Sequence, residues 1–294
     1  MTDSNNPKPS TAFAPTVRTR LASGARRARA WALSRTPRTK LGAAGVVLCL
    51  VMLALPSPYV IERPGPTADV LGESGGEPII AVSGADEHAD SGRLLLTTVN
   101  ASGMPGYPAL NAEALWGWFS PEQIVLPREA FVPAGQTAEE YQTKTEQQMT
   151  GSQDSATAAA FAFLKAKGMD TDGITVSMHV DDIGGPSAGM MYALGVIDKL
   201  TEESETGGQT VAGTGTIDAD GTVGAIGGIQ LKMIAAKRDG ATWFLAPKDN
   251  CGDVVGHVPD GLRDVAVSTL AEAYDALTAI GQGNAADLPR CTAN

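Results

Sequence analysis

The chain has 294 residues, 43% hydrophobic and 5% aromatic, with a formal net charge of −11, long enough for one sizeable α/β domain with appendages. The charge is unevenly placed. Residues 1–40 hold nine Lys or Arg against the single acid Asp3, whereas residues 41–294 hold 13 basic and 32 acidic side chains, a net −19, which repels phosphate and argues against a nucleic-acid partner for the folded part.

Residues 1–40 are rich in Pro, Ser, Thr, Ala and Arg without an apolar stripe, and read as a disordered basic cytoplasmic arm. Leu41–Leu55 is then continuously apolar. Fifteen residues is short for a span of roughly 20, but Tyr59, Val60 and Ile61 extend it past Pro56 and Pro58, and residues 41–57 read as a transmembrane anchor. A signal-peptide core is the competing reading; the long arm before it and the lack of an Ala-x-Ala site after it favour a retained anchor. With the positive arm inside, the chain is expected to cross the cell membrane once and to present its acidic domain outside the cytoplasm.

Residues 58–92, punctuated by Pro and Gly, read as a membrane-proximal linker or strand. Arg93–Val99 has the look of a strand and 100–108 of a loop, and 110–133 mixes a helical piece with the strand-like Ile124-Val125-Leu126. Trp116, Trp118 and Phe119 in that stretch fit core or membrane-interface packing, with a substrate groove as the alternative. Residues 138–149 and 155–167 read as two helices, 241–247 and 265–269 as buried strands, and 270–280 as a closing helix. The alternation implies an α/β (α+β) domain with helices packed on a mixed sheet.

Ile174, Val176, Met178 and Val180 alternate with polar residues, the period of a half-buried strand, whereas Ser187, Met191, Leu194 and Ile197 recur at helical spacing. Between them runs Asp181-Asp182-Ile183-Gly184-Gly185-Pro186, so Ser187 sits where a glycine turn opens a helix. Unpaired amides at such a start, beside Gly185 and Ala188, can hold an oxyanion. The same serine also suits an ordinary helix N-cap. No histidine triad pattern accompanies it, since His88, His179 and His257 are scattered. A second helical stretch follows Gly227-Gly228, with Ile229, Lys232, Ala235 and Ala236 on one stripe and Gln230, Lys237 and Arg238 opposite. Burial disfavours an ammonium, which is how a lysine becomes a base near neutral pH; a lysine snorkelling from the helix edge is the alternative.

Taken together, Gly185-Pro186-Ser187-Ala188-Gly189 and Gly227-Gly228-Ile229-Gln230-Leu231-Lys232 resemble the proteolytic domain of the Lon-type Ser-Lys peptidases, and 212–226 resembles that family's threonine-glycine strand, turn and return strand. The resemblance implies Ser187 as nucleophile, Lys232 as its base and Thr214 as support for the lysine. Two positions depart from the pattern: many Lon peptidases carry an aspartate where Gly184 stands and an acid where Thr216 stands. Tyr59-Val60-Ile61-Glu62-Arg63-Pro64-Gly65-Pro66, Leu94–Val99 and Ala246–Cys251 look like the membrane-anchored, PDZ-containing Lon-like proteases of bacteria. The likeness extends over most of 41–282, with a peptidase domain expected over 93–282 and a tail over 283–294. Only 168–173 separates Lys167 from Ile174, too short for a PDZ module there.

Cys49 falls within the apolar span, whereas Cys251 and Cys291 would both lie outside the cytoplasm, where a disulfide is permitted. Closing a loop of that length is worth roughly 4 kcal/mol by chain entropy; two free thiols are the alternative. The sequence shows no metal-ligand motif, no cofactor motif and no Gly-x-x-x-x-Gly-Lys-Ser/Thr. The resemblance therefore implies an ATP-independent serine endopeptidase acting on flexible protein or peptide segments, and, because Lon-type domains often form rings, a homo-oligomer. Two rivals stand beside it: a non-catalytic scaffold of the same fold, and a small-molecule kinase of GHMP type with a similar glycine loop.

Overall fold

The computed structural model describes residues 36–89, 91–133, 135–180 and 185–292, and the chain divides into two units, Met1–Leu55 and Pro56–Asn294. In the first, helix α1 (Pro37–Ala54) begins with Pro37 behind Thr36, whose side chain accepts from the Thr39 amide. It buries none of its residues, and it is long and apolar enough to cross a membrane. The helix is displaced toward the N-terminus relative to the expected 41–57. Leu55 is already extended, as expected of a residue preceding a proline, so Pro56 ends the helix.

The second unit opens with β1 (Tyr59–Asp69), followed by the short β2 (Glu73–Ser74), β3 (Glu77–Pro78) and β4 (Ile80–Ser83), and by the long β5 (Arg93–Ser102). Helix α2 (Asn111–Gly117), β6 (Ile124–Pro127), helix α3 (Ala138–Ala166) and β7 (Thr175–Met178) come next. Helix α4 (Gly189–Leu200) then leads to β8 (Thr210–Gly213) and to a small hairpin of β9 (Thr216–Ile217) and β10 (Val223–Gly224). Helix α5 (Ile229–Arg238), β11 (Trp243–Pro247), the short α6 (Cys251–Val254), β12 (Arg263–Val267) and helix α7 (Leu270–Gly281) complete it.

Six strands form one mixed sheet in the order β12-β11-β8-β5-β1-β6. The four on one side run parallel, while β1 is antiparallel to both β5 and β6. Strand alternation divides the side chains between two faces. Leu94, Leu96, Val211 and Leu245 pack with α4, whereas Leu95, Ala212, Phe244 and Ala246 pack with Ile229, Met233 and Ala236 of α5. The helices thus cover both faces of the sheet.

Two sequence expectations change and two open alternatives are narrowed. β1 is an inner strand, so much of the region expected as a membrane-proximal linker or strand belongs to the folded unit; a register shift between Pro64 and Thr67 accommodates the Pro-Gly punctuation. The two helices expected over 138–167 are the single α3, opened by a capping box between Thr137 and Glu140. No proline interrupts it, and an interior Gly151 costs only about 1 kcal/mol. Trp116 and Phe119 are 68% and 81% exposed, not core, and Trp118 stacks edge-on against Tyr59. The tail is strapped down: a disulfide joins Cys251 to Cys291, Arg290 bonds Asp264 at 2.6 Å, and the Ala266 amide donates to the Pro289 carbonyl.

Candidate active site

Ser187 lies in a 3-10 turn, Pro186–Ala188, that runs directly into α4. Gly185 enters the turn at φ 95°, a conformation that favours glycine. Four hydrogen bonds fix the turn: the Gly215 amide and the Thr214 hydroxyl both donate to the Ser187 carbonyl (2.9 and 3.0 Å), the Met190 amide donates to the Gly215 carbonyl (3.1 Å), and Ser152 of α3 donates to the Pro186 carbonyl (3.1 Å). The unbroken α3 therefore carries a side chain to the turn that holds the serine. The cap positions belong to Gly185 and Ala188, neither with a side-chain cap bond, so the N-cap reading of Ser187 falls away. The strand before the turn is shorter than the expected 174–180, and Asp181, Asp182, Ile183 and Gly184 lie outside the described residues.

Lys232 approaches from the other face of the sheet. Its helix, α5, starts at Gly228 in the left-handed region (φ 67°), where a Cβ would come within 2.9 Å of Val99 Cγ1. Glycine is what lets α5 close on β5 there. Lys232 is 2% exposed, which excludes the snorkelling reading. Its Nζ donates to Ser187 Oγ at 2.7 Å and to Thr214 Oγ1 at 2.9 Å. Thr214, fully buried, stands one residue beyond the end of β8. Three elements thus converge past the carboxyl end of β8, with α4 and α5 contributing from opposite faces.

Burial pushes the Lys232 ammonium down to about 7, with the nearby Glu62 charge opposing. An amine of that acidity is largely neutral at slightly alkaline pH and can accept a hydroxyl proton. Glu62, on β1, is 7% exposed, and sequence reading missed it. Burial pushes its carboxyl up, while Lys232 pulls it down. The available signal was a charged residue directly after the apolar Val60-Ile61, but it becomes informative only once β1 is known to be an inner strand. Glu62, Thr97, Val99, Gly185, Ser187 and Lys232 help line one cleft of about 240 Å³. Trp116, Trp118 and Phe119 do not line it. The hydroxyl of Ser187 faces an amine where a triad would place an imidazole, and His257 meets Gln230 instead (3.3 Å). Among the described residues no group of three or more His, Cys, Asp or Glu could hold a metal ion.

A serine at a helix start, paired with a desolvated lysine and a threonine between them, is the arrangement of a Ser-Lys hydrolase. Residues 125–280 match the Lon protease (S16) C-terminal proteolytic domain. The chain belongs to that family, which places it among the serine peptidases. It is 38% identical over 91 residues to the Lon protease of Clostridioides difficile, 31% of this chain and 11% of that protein. It is 32% identical over 128 residues to Lon protease 1 of Bacillus subtilis, 40% of this chain and 16% of that protein. With Lon protease 2 of Herpetosiphon aurantiacus the identity is 37% over 121 residues, 38% of this chain and 14% of that protein. The chain thus spans less than a fifth of the length of these curated relatives.

Proposed function

We propose that this protein is a membrane-anchored serine endopeptidase that cuts flexible or unfolded protein segments without ATP, with Ser187 as nucleophile and Lys232 as general base. The observation that carries the reading is the 2.7 Å contact between Ser187 Oγ and the Nζ of a lysine that is 2% exposed. Neutral Lys232 takes the hydroxyl proton as Ser187 Oγ attacks a peptide carbonyl, and amides around Gly185 and Ala188 receive the oxyanion. The lysine then protonates the leaving amine, and water hydrolyses the acyl-enzyme. Thr214 keeps the amine aimed through its 2.9 Å bond.

The membrane assignment is supported by the exposed apolar α1 behind the basic residues 1–40, a combination that keeps the N-terminus inside. ATP independence rests on these residues holding no phosphate-loop motif. Without an unfoldase, substrates are segments that are already extended, which an open cleft bordered by β5 can accept. In this reading residues 1–40 are a cytoplasmic arm, the peptidase is extracytoplasmic, and assembly into a homo-oligomer is a further part of the proposal.

The test is hydrolysis of an unstructured protein by the purified full chain in detergent, without ATP, across pH 6 to 10. Cleavage by the wild type and none by Ser187→Ala or Lys232→Ala is expected; full activity in Ser187→Ala refutes the assignment. Resistance of the cellular protein to alkaline extraction from membranes tests the anchor separately.

A further inference from the structure

We propose that Glu62 is a positioning residue of the Ser187–Lys232 pair: its carboxylate, held in the wall of the same cleft against the first turn of α5, governs how readily the Lys232 amine takes up a proton. The peptidase reading supplies the activity through which this is most easily seen, but the inference itself rests on where the two charged groups lie.

Three observations place the carboxylate. Glu62 is locked at the backbone, because β1 is paired on both sides, with Ala101 of β5 and Ile124 of β6 opposite it. A Cβ built on Gly228 would stand 3.4 Å from Glu62 Oε2, so the carboxylate lies at the N-terminal turn of α5, where the helix dipole favours a negative charge. The Gly228 carbonyl accepts the Lys232 amide at 3.1 Å, which puts the lysine one helical turn further on. Glu62 and Lys232 also line the same cleft.

Among the described residues, the other charges nearby are engaged elsewhere. Arg63, the next residue on β1, reaches Glu113 of α2 at 3.5 Å. At the far end of α5, Arg238 bonds Asp239 and the Gly65 carbonyl. From β5 the cleft receives Thr97, Thr98, Val99 and Asn100, and from the turn Ser187, while Thr214 meets the amine from beyond the end of β8; none of these is charged. The amine's hydrogen bonds go to Ser187 and Thr214, so Glu62 acts on it through space and not as a direct ion-pair partner.

The consequence follows from the balance of forces on Lys232. Burial alone weakens the amine as a base; a negative charge one turn away restores part of its proton affinity. A base that is too weak accepts the serine proton poorly, and one that is too strong is already protonated at working pH. Glu62 sets the compromise between the two.

The decisive variant is Glu62→Gln, which keeps shape and removes charge. In the full chain in detergent, the rising limb of kcat/KM against pH is expected to move to lower pH by about one unit, with a maximum lowered roughly 3- to 10-fold because the base is weaker. Glu62→Asp, which keeps a charge and withdraws it by one methylene, is expected to shift in the same direction by less. A second measurement does not depend on turnover: titration of the lysine side-chain carbons by NMR, with the Lys232 signal identified by its loss in Lys232→Met. Its midpoint is expected to fall in Glu62→Gln. Midpoints equal to wild type, with only the amplitude of activity reduced, overturn the inference and leave Glu62 a packing residue. If Glu62→Gln does not fold, the Glu62→Asp midpoint decides in the same way. If Ser187→Ala proves fully active, the peptidase assignment falls while the NMR midpoint still decides the role of Glu62.

Discussion

Among the described residues two lysines are buried, and they differ in what they touch. Lys199, near the end of α4 and 9% exposed, donates to Glu87 Oε2 at 3.1 Å. Lys232, on α5 and 2% exposed, donates among the described residues to two hydroxyls, those of Ser187 and Thr214. A carboxylate partner commits a lysine to the ammonium form, whereas a hydroxyl can donate to a neutral amine as well as accept from a charged one. The two carboxyls mirror this contrast. Burial opposes ionisation of Glu87, but the Val82 amide and Lys199 outweigh it and hold the group below its usual range; Glu62, without such a direct partner, is pushed up by burial. Burial supplies the lowered basicity of Lys232, and the choice of contact atom decides whether that becomes chemistry.

The largest expected effect breaks the reactive pair outright. Ser187→Ala and Lys232→Ala are each expected to lower kcat by at least about 10⁴-fold, and the double variant by little more than either alone, because the two act as a unit. Hydrolysis of an unstructured protein by the three variants side by side checks this.

Replacing Thr214 by Val removes the second hydroxyl and leaves the lysine one partner, with an expected loss of roughly 10- to 100-fold in kcat. Thr214→Ser, which keeps the hydroxyl, should retain most of the activity. Equal losses in both would mean that packing around the end of β8, and not the hydrogen bond, is what matters.

Stability sharpens the comparison further. The folded-state pKa of Lys232, about 7, lies below its unfolded value of about 10.5. Between these values the unfolded chain binds more protons, so Lys232 makes the fold gain stability as pH rises from 7 toward 10.5 and penalises it most below 7. Lys232→Met is therefore expected to raise Tm most at pH 6 and progressively less toward pH 10. A pH-independent change in Tm would contradict the buried neutral amine.

The smallest effect is expected at Lys199→Met. Glu87 is 38% exposed at its side chain, so screening limits what the ion pair contributes to about 1 kcal/mol or less. Chemical denaturation should show a small loss of stability, with activity and its pH profile unchanged.

The site was more legible in the sequence than the scaffold around it. Ser187 after Gly-Pro and Lys232 on an apolar stripe each admitted a second meaning, and only their occurrence in a family's order gave the pair sense. Periodicity also gave the alternation of strands and helices, because each element must bury one face and repeats at 2.0 or 3.6 residues. For α4 it picked out the single stripe of Met191, Leu194 and Ile197, although all of the helix's residues are buried, since a helix covered on several sides carries no informative stripe. It missed β1 as an inner strand because prolines and glycines usually interrupt pairing, and a bulge is visible only once the partner strand is known.

What the sequence determined by itself was local: a glycine turn opening a helix at Ser187, an apolar helix near the N-terminus, and a lysine where apolar residues recur. The tertiary structure alone decided that α4 and α5 lie on opposite faces of one sheet and meet past the end of β8. It also decided that Glu62, about 170 positions away in the chain, faces the same cleft. Such encounters depend on strand order and register, which arise from long-range pairing and leave no periodic trace in the residues that finally touch.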